Sequence, residues 1–148
     1  FDDDYFDCVI CDDVLPALRD PEPVLKEIVR TLSAQGLMVL IVPNVHYYKV
    51  VVMLAEGRWD YTESGVLARR HLRFFTGVEL GRLLRASGLA NHRCIPLVMD
   101  RPETLPRDAD GYLTFGRIRI GPLNDEEYAS LCTEEYLVLA RKSAPVWS

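Results

Sequence analysis

The sequence lacks the features that mark membrane, secreted and nucleic-acid-binding proteins. Its longest apolar run, Gly36–Val42, is too short to cross a bilayer, and no charged-then-apolar signal peptide opens the chain. Lys and Arg number 17 against 22 Asp and Glu, a net charge of −5. This balance argues against nucleic acid as the main partner, because phosphate binding relies on clustered cations.

Cysteine is scarce, and its spacing does not form a metal site. Cys8 and Cys11 match C-x-x-C, but they lie in an apolar, strand-like run, where positions i and i+3 face opposite sides of a sheet. No second C-x-x-C or H-x-H completes a zinc site. We therefore predict no metal, and we expect both thiols to be buried and reduced, as in a cytoplasmic protein.

The length and the first residues predict one incomplete domain. At 148 residues, a single domain is the expectation. Phe1 is followed by three aspartates and then a strand-like run, as in a chain cut inside a larger fold. We expect the domain to cover residues 1–142, with a frayed tail at 143–148.

The first part of the chain has the pattern of a strand, a helix and a second strand. Phe6–Cys11 and Leu37–Val42 are near-continuous apolar runs, which suit strands covered on both faces of a parallel sheet. Between them, Asp20 can cap a helix whose first turn holds Pro21. Gly36 sits where a left-handed residue after the helix is expected. This order predicts a βαβ unit with parallel, neighbouring strands.

The carboxyl ends of these two strands define a candidate ligand crevice, since open α/β sheets bind ligands there. Asp12 and Asp13 follow the first strand, and Pro43 and Asn44 end the second. Their carboxylates and amide suit an ammonium, a hydroxyl or a water. The alternative is that the aspartates only end a strand and cap a turn. The βαβ argument alone does not choose between the two.

The remaining elements alternate between helix and strand. Capping boxes at Thr76–Glu79 and Asn124–Glu127 predict two helices, the second ending near Leu131. The other predicted elements are a buried helix over Val45–Glu56, strands over His92–Val98 and Glu135–Arg141, and a short hairpin within Phe115–Ile120.

The long segment Arg58–Phe75 has no clear periodicity, and loops of that length are usually functional or disordered. Its many aromatic residues argue against disorder. Three arginines and a histidine fall within five residues: Arg69, Arg70, His71 and Arg73. They suit a phosphate or carboxylate on a substrate. The alternative is a solvated turn whose cations pair with nearby Asp and Glu.

Several stretches match sequence motifs of one protein family. Tyr5–Leu15 matches Y-F-D-x-V-I-x-x-D-V-L, and Gly36–Asn44 matches G-x-x-x-x-x-V-P-N. Gly57–Leu67 and His71–Thr76 match G-R-W-D-Y-T-x-S-G-x-L and H-L-R-F-F-T. The chain therefore resembles class I S-adenosylmethionine (SAM) methyltransferases of the type 11 family. The last two motifs are typical of a subgroup associated with surface-polysaccharide glycosyltransferases.

The resemblance implies an α/β fold, a partial Rossmann-like sheet made of the family's strands four to seven with flanking helices. The last strand would be antiparallel, between strands five and six. Only the C-terminal half of the domain is matched. The family binds SAM chiefly through a Gly-rich loop and an acidic residue after its first two strands, and neither is in this sequence. We therefore expect no SAM binding by this chain alone, and we expect the missing N-terminal half or a second copy to complete the site.

The same resemblance assigns site residues. The cofactor-binding residues implied are Asp12, Asp13, Val14 and Leu15. Many relatives place Glu-His next, where that histidine can serve as a base, but Pro16 and Ala17 stand here. His71 is then the remaining candidate base, because histidine titrates near neutral pH. From the residues themselves we further predict acceptor contacts at Asn44, Trp59, Tyr61, Arg69 and Arg70, with the arginines holding an anionic group and the rings stacking on a sugar.

The sequence thus predicts a SAM-dependent methyltransferase, active as the intact parent chain and inactive as this chain alone. The acceptor is a small molecule or glycan, and its link to polysaccharide rests on family association. The alternative is a non-catalytic remnant that acts as an oligomerising or binding module. Because the family's fourth strand would be an open apolar edge, we also predict a homodimer or larger species, located in the cytoplasm.

Overall fold

Two neighbouring parallel strands, β1 (Phe6–Asp12) and β2 (Leu32–Pro43), form the first unit of the fold. Helix α1 (Pro21–Thr31) connects them. Asp20 occupies its N-cap position, although the Asp20 side chain makes no capping hydrogen bond. The predicted βαβ unit with parallel strands is therefore confirmed.

The computed structural model describes residues 1–89, 91–101 and 103–142. The predicted frayed tail at 143–148 lies outside these residues. Besides β1, α1 and β2, the elements are a 3-10 turn (Leu15–Ala17), α2 (Tyr48–Ala55), α3 (Gly77–Ala86), β3 (Asn91–Met99), β4 (Leu113–Phe115), β5 (Ile118–Ile120), α4 (Asp125–Cys132) and β6 (Thr133–Arg141).

The main sheet has the strand order β1-β2-β6-β3. β6 runs antiparallel to both of its neighbours, β2 and β3. This order confirms the predicted α/β fold with a last strand that is antiparallel and inserted. β4 and β5 form a separate two-stranded hairpin, which extends the predicted one back to Leu113.

Gly36 does not end a helix, so that prediction is wrong. Leu32 is already extended at the C-cap of α1, and Gly36 lies within β2. A Cβ atom at position 36 would lie 2.7 Å from the Leu32 side chain and 3.0 Å from the Phe6 carbonyl oxygen. Glycine is therefore needed here for a close approach of β2 to β1, not for a left-handed turn.

One face of the sheet packs against α1 and α3. Leu40 and Val138 of the sheet and Leu80 of α3 are fully buried in one hydrophobic cluster. Cys11 belongs to this cluster, whereas Cys8 is exposed, because the two positions face opposite sides of β1. The prediction of buried, reduced thiols thus holds for Cys11 and is wrong for Cys8 in its burial; both are free.

The other face of the sheet is apolar and partly open, and is called the open face below. Ile10 is 68% exposed. The register places it beside Val39, which in turn pairs with Leu139, and Ile41 pairs with Leu137. These four neighbours are only partly buried. Parallel strands are normally covered on both faces, so this arrangement leaves room for a further layer.

Helix α2 is shorter and less buried than the predicted helix over Val45–Glu56. It begins at Tyr48 because the preceding residues form a turn, in which the Tyr47 N–H donates to the Asn44 carbonyl at 3.0 Å. Val50 is its buried residue. Across the described ranges, every helix falls short of the length and hydrophobicity that a bilayer-spanning segment needs.

The two predicted capping boxes differ in completeness. At α4, Asn124 and Glu127 exchange both side-chain-to-backbone hydrogen bonds, which confirms the box. At α3, the Thr76 hydroxyl accepts from the Glu79 N–H at 3.2 Å, which is one half of the box. Both helices therefore begin where the sequence predicts.

Candidate functional site

The last residue of β1 and the turn after it contain the four residues predicted to contact a cofactor. Asp12 is exposed, and Val14 is 39% exposed. Asp13 has a φ of +53°, in the left-handed region, and its N–H donates to the Ile41 carbonyl at 3.0 Å. Leu15 is 1% exposed, so its side chain anchors the turn in the core and is not available to a cofactor.

Asp13 is the centre of the site. Its Oδ2 atom forms an ion pair with the Arg70 guanidinium and lies 3.1 Å from His71 Nε2. Its Oδ1 atom is buried and has no hydrogen-bond partner among the described residues. A buried carboxylate oxygen without a donor is rare in folded proteins, so this atom is a candidate contact for a ligand.

His71 is almost fully buried, with its side chain 1% exposed. Its Nδ1 atom lies 3.1 Å from the Val66 carbonyl oxygen, and its Nε2 atom faces Asp13. A general base needs a free ring nitrogen within reach of the acceptor. The geometry occupies both ring nitrogens, so it does not support the predicted base role of His71.

Backbone hydrogen bonds hold the segment that contains Arg70 and His71 beside the turn after β1. The N–H groups of Leu72 and Arg73 both donate to the Pro16 carbonyl, at 2.7 and 3.0 Å. The Arg73 guanidinium also donates to the Arg19 carbonyl. The structure thus places His71, the predicted base, and Arg70, a predicted acceptor contact, next to Asp13, a predicted cofactor contact. Asp13 lies more than fifty residues earlier in the chain.

The arginines of the predicted anion cluster are paired within the chain. Arg69 pairs with Glu63 at 2.9 Å, and both side chains are largely exposed. Arg70 pairs with Asp13, and Arg73 binds the Arg19 carbonyl. Each guanidinium has a partner within the chain, which is the alternative that the sequence left open.

Asn44 is fully buried, at 0% exposure. Its Nδ2 atom donates to the carbonyls of Ser130 and Thr133, at 2.9 and 2.8 Å. Its Oδ1 atom accepts from the His46 N–H at 3.1 Å. The predicted substrate contact is therefore corrected: Asn44 has no free surface and joins the end of β2 to α4 and β6.

The two predicted aromatic contacts lie in one cluster with the loop. Trp59 packs edge-on against Phe74, with ring centroids 5.3 Å apart, and is partly buried. Tyr61 lies 6.5 Å from Trp59 and is 47% exposed. Tyr61 is therefore the more accessible of the two rings.

A cavity of about 200 Å³ lies at the same rim. It is lined by Pro43, Gly65, Val66, Val98, Glu134 and Glu135. Burial, followed by the charges of Asp13, Asp12 and Glu134, raises the pKa of Glu135. Within the described part of the chain, neither glutamate side chain has an ion-pair or hydrogen-bond partner.

Sequence reasoning missed Glu134 and Glu135 because they lie in the last strand, far from the predicted motif. One pattern identifies them in retrospect. An antiparallel strand inserted beside β2 must begin where β2 ends. The two glutamates are the second and third residues of β6, and Glu135 pairs with Pro43. Strand direction alone therefore predicts carboxylates at the rim.

A second, larger cavity of about 610 Å³ lies between the start of α3, β3 and α4. At its wall, His46 Nδ1 lies 3.0 Å from Ser130 Oγ, which also accepts from the Tyr136 hydroxyl at 3.3 Å. Burial lowers the pKa of His46, so its ring is neutral at physiological pH. In the described ranges, no group of three or more His, Cys, Asp or Glu side chains is arranged to hold a metal ion.

Comparisons with known proteins agree with this fold. A crystal structure of a SAM-dependent methyltransferase, a possible histamine N-methyltransferase from Thermotoga maritima, is similar at 18% identity and a TM-score of 0.61, covering 96% of this chain and 58% of that one. A SAM-dependent methyltransferase from Archaeoglobus fulgidus is 15% identical, with a TM-score of 0.59, covering 95% and 61%. No curated protein matches the chain.

These identities establish the fold alone, and the chain spans about 60% of the length of the two structures (58% and 61%). The family described as a methyltransferase domain matches residues 1–93. That match covers well over half of the 148 residues and includes both Asp13 and His71. The chain therefore belongs to the methyltransferase domain family.

Proposed function

We propose that this chain is the C-terminal part of a SAM-dependent methyltransferase whose acceptor is a hydroxyl-bearing, sugar-related small molecule. The observation that carries the proposal is the buried, unpartnered Oδ1 atom of Asp13 at the carboxyl end of β1. Ligands of open α/β sheets bind outside the carboxyl ends of the strands. Family membership supports methyl transfer as the reaction.

The residues after β1 fit the methionine end of SAM. Asp13 Oδ1 would accept a hydrogen bond from the cofactor's ammonium group, which satisfies the unpaired oxygen. Val14 offers exposed apolar surface, and Asp12 an exposed carboxylate. SAM, when bound, supplies an activated methyl group. Leu15 holds the turn in the core, so we assign it no direct contact.

The acceptor is inferred from the charge of the rim cavity. Glu134 and Glu135 favour a molecule that donates hydrogen bonds, such as a sugar with free hydroxyl groups. Arg69 and Arg70 already have carboxylate partners, so an anionic acceptor is less favoured. The exposed Tyr61 ring, with Trp59 beside it, offers an apolar surface for a sugar ring.

Glu135 is the proton acceptor that this geometry favours. Its raised pKa brings it closer to neutral pH, where a carboxylate exchanges protons most effectively. We infer that it would take the proton of the acceptor hydroxyl as that oxygen forms a bond to the methyl carbon and the bond between this carbon and the SAM sulfur breaks, with S-adenosylhomocysteine as the leaving group. The surrounding residues chiefly orient the acceptor, as positioning dominates in displacement reactions.

The open face and the free edge of β1 support the need for a further polypeptide layer. We infer that the missing N-terminal half of the domain, or a second copy of this chain, covers Ile10 and its neighbours and completes the cofactor site. The same surface favours the second candidate function, a non-catalytic oligomerising module. For the location we propose the cytoplasm, where free cysteines remain reduced.

The test uses the full natural protein that contains this chain. SAM binding is measured by calorimetry, and transfer of labelled methyl groups is measured with neutral sugars and sugar phosphates. Asp13→Ala should weaken SAM binding by tenfold or more, as expected from roughly 1.5–3 kcal/mol for a hydrogen bond to a charged group. Asp2→Ala, which removes an exposed carboxylate before the start of β1 and leaves the Arg70 and His71 contacts intact, is the matched control.

The outcomes separate the candidate functions. Glu135→Gln should lower turnover while SAM binding is kept. Equal SAM affinity in the wild type and Asp13→Ala would remove the cofactor assignment. Transfer to sugar phosphates but not to neutral sugars would overturn the acceptor assignment. A full natural protein that neither binds SAM nor transfers methyl groups, but forms a stable oligomer, would favour the oligomerising module.

A further inference from the structure

The His71 ring lies between two oxygen atoms that accept hydrogen bonds. Nδ1 faces the Val66 carbonyl and Nε2 faces Asp13 Oδ2, each at 3.1 Å. A carbonyl oxygen and an ionised carboxylate oxygen can only accept hydrogen bonds. A neutral ring has one hydrogen to donate, and the carboxylate is the stronger acceptor of the two.

The contact with Asp13 requires a hydrogen on Nε2. Without it, the lone pair of Nε2 would face the lone pairs of Asp13 Oδ2. The Arg70 guanidinium donates to the same oxygen, so the hydrogen between Nε2 and Oδ2 lies on the ring. Nε2 therefore has no lone pair with which to take a proton from an acceptor, and Nδ1 lies against the Val66 carbonyl in a side chain that is 1% exposed.

We propose that His71 is a positioning residue that acts through Asp13, and that it transfers no proton in the reaction. This inference rests on the proposed function for its link to SAM. His71 and Arg70 hold Oδ2 from two directions, which fixes the carboxylate plane and leaves Oδ1 free for a ligand donor.

The chain contains a matched reference for this arrangement. His92 Nδ1 lies 3.1 Å from the Leu89 carbonyl, the same contact that His71 makes with Val66. No carboxylate pairs with His92 in the described part of the chain. The two histidines therefore differ in the contact at Nε2, and this contact is what the proposal depends on.

The first experiment locates the protons without any ligand. The full natural protein, labelled with ¹⁵N-histidine, is examined by NMR at neutral pH, with His71→Gln used to assign the His71 signals. His71 Nε2 should show the shift of a nitrogen that carries a hydrogen, and it should be coupled to that hydrogen. The assignment is overturned if His71 Nε2 has the shift of a nitrogen with a free lone pair.

The second experiment separates positioning from base catalysis. Glutamine cannot act as a base, but its amide can still donate to Asp13. His71→Gln should therefore keep SAM affinity and kcat close to those of the wild type, whereas His71→Ala should weaken SAM binding by about tenfold or more. The double variant of His71→Ala and Asp13→Ala should bind no more weakly than Asp13→Ala alone.

A kcat that falls by orders of magnitude in His71→Gln, with SAM affinity unchanged, would show that His71 is a base and would refute the proposal. If His71→Ala does not fold, His71→Gln and the NMR measurement still decide. A protein that binds no SAM would refute the proposed function, while the position of the His71 protons is still measured. The two failures are therefore distinguishable.

Discussion

Asn44 offers the clearest test of how the rim is built. The sequence places it among the substrate contacts, whereas the structure buries it completely and engages its whole amide group. Its Nδ2 atom faces two carbonyl oxygens, of Ser130 and Thr133, which only accept, so the amide has a single orientation. We expect Asn44→Ala to lower the free energy of unfolding strongly.

The magnitude follows from the three hydrogen bonds. Each contributes about 1 kcal/mol net, and a buried group left without a partner costs about 1–3 kcal/mol. The Ser130 carbonyl keeps the Thr133 N–H as a donor. The Thr133 carbonyl and the His46 N–H lose a partner. One lost hydrogen bond at about 1 kcal/mol and two orphaned groups at about 1–3 kcal/mol each give a loss of about 3–7 kcal/mol. This is a large share of the roughly 5–15 kcal/mol that stabilises most domains.

Two further variants make the measurement specific. Asn44→Asp keeps the shape but places a carboxylate oxygen against two carbonyls, so it should destabilise the fold at least as much as alanine does. Asn124→Ala removes an exposed helix cap and should cost only about 1 kcal/mol. Urea unfolding of the three variants gives the values. An Asn44→Ala loss below about 1 kcal/mol, or a tolerated Asn44→Asp, would refute the structural role.

Three other predictions follow from the same description. Glu135→Gln should stabilise the fold at neutral pH, but not at a pH below the ordinary glutamate pKa. The reason is that the pKa of Glu135 is raised in the folded state, so its ionisation weakens the fold as pH rises. Equal gains in the free energy of unfolding in urea at both pH values would contradict this. Gly36→Ala should destabilise by about 1–3 kcal/mol, since its Cβ would meet Leu32. Gly57→Ala is the control, because Gly57 has a φ of +79° and open space around it, so that substitution should cost about 1 kcal/mol from backbone strain alone. A smaller loss of Tm for Gly36→Ala than for Gly57→Ala would contradict the steric argument. Ile10→Lys should leave folding intact and shift an oligomer toward monomer in light scattering; a wild-type monomer at micromolar concentration would contradict the proposed association.

The elements that the sequence predicts well are those whose information is local. The apolar run ending at Cys11, the capping box at Asn124, and Pro21 in the first turn of a helix each depend on residues within one or two turns of chain. Gly36 shows the limit of local reasoning. The same residue type serves a left-handed turn and a close strand approach, and only the Phe6 carbonyl, thirty positions earlier, decides between them.

The candidate site is predictable in its location and not in its contacts. Strand direction places Asp13 at the rim, and the inserted last strand places Glu135 there as well. The contact between Asp13 and His71 depends on how the long loop folds back. That path is set by the Pro16 carbonyl, which accepts from both Leu72 and Arg73. A backbone acceptor has no sequence pattern, so no motif could reveal it.

Pro16 contributes to this geometry directly. Pro16 is buried and its carbonyl accepts from two N–H groups, which fixes the loop segment that contains Arg70 and His71. The same segment holds the His71 ring between two acceptor oxygens. His71 is therefore suited to orienting Asp13 and not to removing a proton from an acceptor.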